Sequence, residues 1–180
     1  MASPISCLSI LIIPLLVTSL FYDVSNADRA LLDKVCKKST DYDFCVSTLL
    51  SDPEGLTDVL YRLGLVSTSV SLGMISTIND GEISNILIGV TDPVIGERIR
   101  GCQADISSLY EDMQSARDAA GTQSYVEEAK SLASAQDKIA GCNKRFEGPP
   151  KTESPISKST SKIEKLINIS AVILTMISSS

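Results

Sequence analysis

The chain has 180 residues, no histidine, no tryptophan, and 16 basic against 22 acidic side chains, for a formal net charge of −6. That length suffices for one domain with a core, while the missing histidine excludes Ser-His-Asp and Cys-His catalysis and His-containing zinc sites. Mild acidity without a basic patch argues against nucleic acid, and Asp and Glu spread along helix-like segments read as solvated faces; no enzyme and no cofactor is expected.

Residues 5–22 are almost uninterruptedly apolar and lead into Ser25-Asn26-Ala27. Small residues at the third-last and last positions suit signal peptidase, so residues 1–27 are read as a signal peptide that takes Cys7 with it. The alternative, an N-terminal membrane anchor, draws on the lack of Lys or Arg before the apolar run. Pro14 and the cleavage site oppose it.

Arg29 to Cys36 and Phe44 to Leu50 read as two short helices around the polar turn Lys37–Asp41. Residues 28–51 then form an N-terminal helical hairpin. Asp52-Pro53-Glu54-Gly55 is a break. From Leu56, apolar residues recur at steps of three and four: Val59, Leu60, Leu63, Val66, Val70, Met74, Ile75 and Ile78. Asn79-Asp80-Gly81 ends or kinks that helix, and Ile83, Ile86, Leu87 and Val90 resume it. The β-branched content leaves a strand as the alternative.

Asp92-Pro93 opens the next helix, an N-cap acid followed by proline at the first helical position. Ile95, Ile99, Cys102, Ile106, Leu109, Met113 and Ala116 alternate steps of four and three, which keeps one seam on a bundle helix. Gly121 ends it, and Ser124-x-x-Glu127 reads as a capping box. Val126, Ala129, Leu132, Ala133, Ile139 and Cys142 supply the stripe of the following helix. Gly148-Pro149-Pro150 and a Ser/Lys-rich stretch to Lys162 read as linker. Ile163, Leu166, Ile167, Val172, Ile173, Leu174, Met176 and Ile177 form a last helix, too short and too interrupted to span a bilayer. A processed lipid-anchor tail is the alternative. Asn168-Ile169-Ser170 is a glycosylation sequon, poorly placed within a helix.

The expected fold is therefore all-α: the hairpin at 28–51, then an up-and-down four-helix bundle over 52–180. Cys36, Cys45, Cys102 and Cys142 in a secreted chain read as a disulfide framework. Three pairings are open to four cysteines, and the sequence alone does not choose. Neighbour with neighbour is the reading adopted, since two adjacent antiparallel helices bring Cys102 and Cys142 within reach.

In this organisation the chain resembles the plant invertase and pectin methylesterase inhibitor family. Four landmarks in order carry the resemblance: Cys36 through Asp52-Pro53; Leu63-Gly64; Thr91-Asp92-Pro93 ahead of Cys102; and Cys142 to Phe146 running into Glu147-Gly148-Pro149-Pro150. The resemblance implies neighbour pairing of the cysteines, a non-enzymatic protein, and one-to-one binding over the active-site cleft of a cell-wall enzyme. Tyr125-Val126-Glu127 stands where invertase inhibitors often carry Pro-Lys-Phe. With the run after Cys142, this favours plant pectin methylesterase as target and leaves acid invertase as the alternative. Asp105, Ser108 and Glu111 match the family's enzyme-facing helix in place and polarity, and Tyr125 is a candidate aromatic anchor. Ile106 and Gly141 depart from the family's usual tyrosine and threonine. The implied location is secreted, in the apoplast. A secreted helical ligand or a small-ligand carrier is the reading from another class.

Overall fold

The computed structural model describes residues 29–179. The expected signal peptide and Cys7 lie outside the described residues. All regular structure among those residues is helical: α1 at 29–36, α2 at Tyr42–Leu49, a short 3₁₀ turn at Pro53–Gly55, α3 at Leu60–Ser76, α4 at Ser84–Gly89, α5 at Pro93–Gly121, α6 at Tyr125–Lys144 and α7 at Ser157–Ser178. Helix α5 packs on α6, α6 on α7, α7 on α3 and α3 on α5, closing a four-membered ring. Cys36 is bonded to Cys45 and Cys102 to Cys142, and all four are fully buried.

The hairpin lies on the α3–α7 side. Leu32, Val35, Cys36, Cys45 and Leu49 share a cluster with Leu63, Val66, Ile169, Ile173 and Met176. Its turn carries polar contacts. Asp41 caps α2 by accepting the Phe44 N–H at 3.0 Å and pairs with Lys165 Nζ at 2.8 Å. The Thr40 N–H donates to Asn168 Oδ1 at 3.0 Å, and Lys165 sits 5.6 Å from the Phe44 ring centre. The Lys165 hydrogen bond, then the Phe44 N–H, hold the Asp41 carboxyl below the usual range. These contacts thus support the hairpin above that range and are lost as pH falls through the lowered pKa.

Between α3 and α4 the backbone runs as a π-helix over Thr77–Ile83. The cause is visible in the chain: Ile78 and Ile83 are five residues apart, a step that 3.6 residues per turn cannot keep on one face. The wider turn absorbs the extra residue, and both side chains are buried. Asn79-Asp80-Gly81 therefore widens the helix rather than ending it.

Four expectations need correction. The first bundle helix starts at Leu60, not Leu56. Leu56 sits in extended backbone beyond the Pro53–Gly55 turn and is 47% exposed. The capping box at Ser124 does not form, since Ser124 Oγ meets Thr122 Oγ1 at 3.1 Å. The tight connection instead closes α5: the Ser124 N–H reaches Ala119 O, the Gln123 N–H reaches Ala120 O, and Gln123 takes φ 55°. This is the Schellman pattern with glutamine in the left-handed position. The α6 stripe is right at Leu132, Ile139 and Cys142 and wrong at its other three positions. Val126 is 69% exposed and Ala129 and Ala133 face outward, while Glu128, Leu132, Ala135, Ile139 and Cys142 are buried. Finally, the second half of the Ser/Lys stretch, from Ser157 to Lys162, is the first part of α7. Glu82 of the π-helix accepts from Ser159 Oγ at 3.0 Å and Lys162 Nζ at 2.7 Å. The linker before it is clasped, as the Arg98 guanidinium donates to the carbonyls of Gly148, Pro149 and Pro150 and to Thr152 Oγ1.

Two glycine substitutions test this account with opposite signs. A Cβ on Gly55 would fall inside the Leu49 carbonyl. Gly55→Ala is expected to cost roughly 2–4 kcal/mol, as main chain must shift. Gln123→Gly relieves the left-handed residue and is expected to add about 0.5–1 kcal/mol. Denaturant melts of both variants check this.

Candidate functional site

Helices α5 and α6 run antiparallel and form the most extensive helix pair of the molecule. The Cys102–Cys142 bond sets their register, and polar rungs reinforce it. Beyond the bond, Arg145 Nε and Nη2 donate to Asp105 Oδ2 and Oδ1 at 2.7 and 2.9 Å, a bidentate pair. Further along, Lys138 Nζ pairs with Asp112 Oδ2 at 2.7 Å and donates to the Ser108 carbonyl at 3.1 Å. At the far end, the Ser124 N–H donates to Ala119 O at 2.8 Å. At Gly101 the bare Cα lets the Arg145 guanidinium lie close across α5, since a Cβ there would stand 2.8 Å from the end of that flexible side chain.

The sequence-predicted residues do not form one cluster. Asp105 and Ser108 lie on the side of α5 that faces α6: the Asp105 carboxylate accepts from Arg145, just past the end of α6, and the Ser108 main-chain carbonyl accepts from Lys138. Glu111 is exposed on the other side. There it lines a groove of about 350 Å³ with Asn79, Asp80, Ser107 and Tyr110. Tyr125 opens α6, half-buried against the bundle core and, at 1.5 Å per residue, about 30 Å along α6 from Arg145. Asn168 is engaged with the hairpin turn.

The two departures from the family pattern have different consequences. Ile106 is fully buried and forms part of the groove floor, so it offers no hydroxyl to a partner. Gly141 is exposed, with nothing within 4 Å of where its Cβ would be, so it leaves a gap on the outer face of α6.

Sequence reasoning missed Arg145, Lys138 and Asp112. A signal was present: Asp105 and Asp112 stand one heptad apart on α5, and Lys138 and Arg145 one heptad apart on α6. Antiparallel packing turns those repeats into two rungs. Glu128 was missed too, because an acid is not sought in an apolar stripe.

Among the described residues no cluster of three or more Cys, Asp or Glu could hold a metal ion, and no helix is long and apolar enough to cross a membrane. The architecture is a disulfide-bolted helical bundle with a polar two-helix face. The chain belongs to the plant invertase/pectin methylesterase inhibitor family, whose model matches residues 30–173. This is a family of protein inhibitors, not enzymes. The chain is 24% identical over 173 residues to a pectinesterase inhibitor of Actinidia deliciosa, covering 93% of each chain. It is 26% identical over 156 residues to a Platanus acerifolia protein whose name gives invertase inhibition as a provisional assignment, covering 83% of this chain and 86% of that one. Among solved structures, a mutant form of a pectin methylesterase inhibitor from Arabidopsis superposes with a TM-score of 0.66 at 17% identity, covering 81% of this chain and 95% of the other. That likeness supports the fold.

The Asp105–Arg145 pair is partly exposed, its side chains 24% and 42% accessible. Solvent screening therefore limits its contribution. A double-mutant cycle with Asp105→Asn and Arg145→Gln is expected to give a coupling of about 1 kcal/mol or less, read from denaturant midpoints.

Proposed function

We propose that the protein inhibits a plant pectin methylesterase one to one, laying the outer face of α5 and α6 over the substrate cleft. The supporting observation is the α5–α6 pair itself: a long two-helix plate, covalently bolted, whose register cannot slip when it meets a partner. A surface fixed before binding loses little entropy on docking. The plate blocks access physically and is not itself turned over. Asp105 and Ser108 along it, and Glu111 on the groove beside it, meet polar or basic groups on the cleft rim. Such rim contacts act mainly on association and weaken with salt. Tyr125, held at the start of α6, supplies an aromatic anchor at the other end.

Two things favour the esterase over acid invertase. The alignment with the Actinidia pectinesterase inhibitor covers more of both chains than that with the Platanus relative. Helix α6 opens on Tyr125-Val126-Glu127 and not on Pro-Lys-Phe. The working location is the cell wall, reached by secretion.

The test is an inhibition titration of a plant pectin methylesterase and of an acid invertase at mildly acidic pH. The esterase is expected to lose activity at stoichiometric protein while the invertase keeps its own. Tyr125→Ala is expected to raise the half-inhibitory concentration about tenfold. Suppression of the invertase alone would reassign the target. An effect on neither would overturn the proposed function.

A further inference from the structure

Glu128 is the ionisable residue in the core of the described bundle, 1% exposed where its helix neighbours are Leu132 and Ala135. Its Oε2 is sealed from solvent and has no hydrogen-bond partner. Nor do the elements packed around α6 offer a counter-charge. From Leu166 to Ser178, α7 carries no ionisable side chain, and neither does α3 from Leu63 to Ser76. On α5, Asp112 is paired with Lys138, while Arg117 and Asp118 are exposed, Arg117 donating to Ser69 Oγ at 3.1 Å. On α6 itself Glu127 is exposed and paired with Lys130, and Tyr125 is half-buried against the core.

Ser124 makes no side-chain cap bond, and the preceding Gln123 is in the left-handed region. The only general support for a carboxylate here is the positive end of the α6 dipole, a small effect that falls off within the first turn. Burial without a partner is the larger effect.

We propose that Glu128 is a pH-operated latch: protonated, it lets the first turns of α6 lie closed against the core, and ionised, it draws them out toward water together with Tyr125. Burial pushes the Glu128 carboxyl up to about 7. The open state returns it to the ordinary carboxylate range, so the closed state binds the proton more tightly. The latch is therefore fully closed below the ordinary range, weakens as pH rises, and reaches its weakest state above about pH 7. The device belongs to the free protein and does not depend on which enzyme is bound.

The experiment is amide hydrogen exchange on the disulfide-bonded protein at about pH 5 and about pH 8, normalised to intrinsic exchange rates, with Glu128→Gln alongside. Protection of amides 128–132, the first of α6 with hydrogen-bond acceptors, is expected to fall about tenfold or more at the higher pH, each pKa unit weighing tenfold. The hairpin amides should show no matching fall, and Glu128→Gln should show none in α6. Equal protection at both pH values, or the same fall in Glu128→Gln, overturns the proposal. A carbon-13 titration of the wild-type Glu128 carboxyl stands independently of how the variant folds. A midpoint near 7 supports the latch, and a midpoint in the ordinary carboxylate range overturns it.

Discussion

The bond between Cys102 and Cys142 fixes where α6 lies along α5, and most of what the surface can do follows from that register. It closes a loop of 40 residues, which in the chain-entropy picture restricts the unfolded chain by about 4 kcal/mol. Its other effect is geometric. With those two positions joined, Asp105 must meet Arg145 and Asp112 must meet Lys138, while the tight turn at Gln123 sets the opposite end. The rungs contribute little energy individually because they are partly exposed. They hold side-chain directions, and the result is a rigid plate with a fixed pattern of charge.

The remaining elements support that plate from behind. Helices α3 and α7 close the ring, and the hairpin binds their outer side through a second apolar cluster and the Asp41–Lys165 contact. The π-helix at Thr77–Ile83 brings Glu82 to Ser159 and Lys162, which is why a Ser/Lys-rich stretch is helical here. It also brings Asn79 and Asp80 opposite Glu111, forming the groove beside the plate. Not all of the core is apolar. Ser67 and Ser170 share a buried hydrogen bond of 2.8 Å between α3 and α7, whereas Glu128 has no such partner. Paired hydroxyls cost the fold little; an unpartnered carboxyl makes it sensitive to pH.

Where period and punctuation agree, the fold was readable in the sequence. Asp92-Pro93 marked the start of α5, and the four-and-three steps from Ile95 to Ala116 gave its buried face, Ile95 alone being only half-buried. Reading failed where a tertiary partner overrides a local rule. The five-residue step from Ile78 to Ile83 is legible only once a π turn is admitted. The α6 stripe held at Leu132, Ile139 and Cys142 and failed at Val126, Ala129 and Ala133, because Glu128 and Ala135 occupy the remaining core positions. Ser124 looked like a cap, but the short turn required its N–H for Ala119 and left its hydroxyl to Thr122. Asp105, Ser108, Glu111 and Tyr125 could each be placed on a helix from sequence. Their division between the α6-facing side, the groove and the far end depends on helix rotation and on Arg145 and Lys138, which no local pattern singles out.

The central claim is that the bolted α5–α6 plate meets the target enzyme while the hairpin and α3 do not. Hydrogen exchange on the complex with a plant pectin methylesterase, compared with the free protein at the same pH, tests it most directly. The account predicts new protection along the outer faces of α5 and α6, within 105–112 and 125–141, and none in the hairpin at 29–49. Protection confined to the hairpin or to α3, with α5 and α6 exchanging as they do in the free protein, would contradict it.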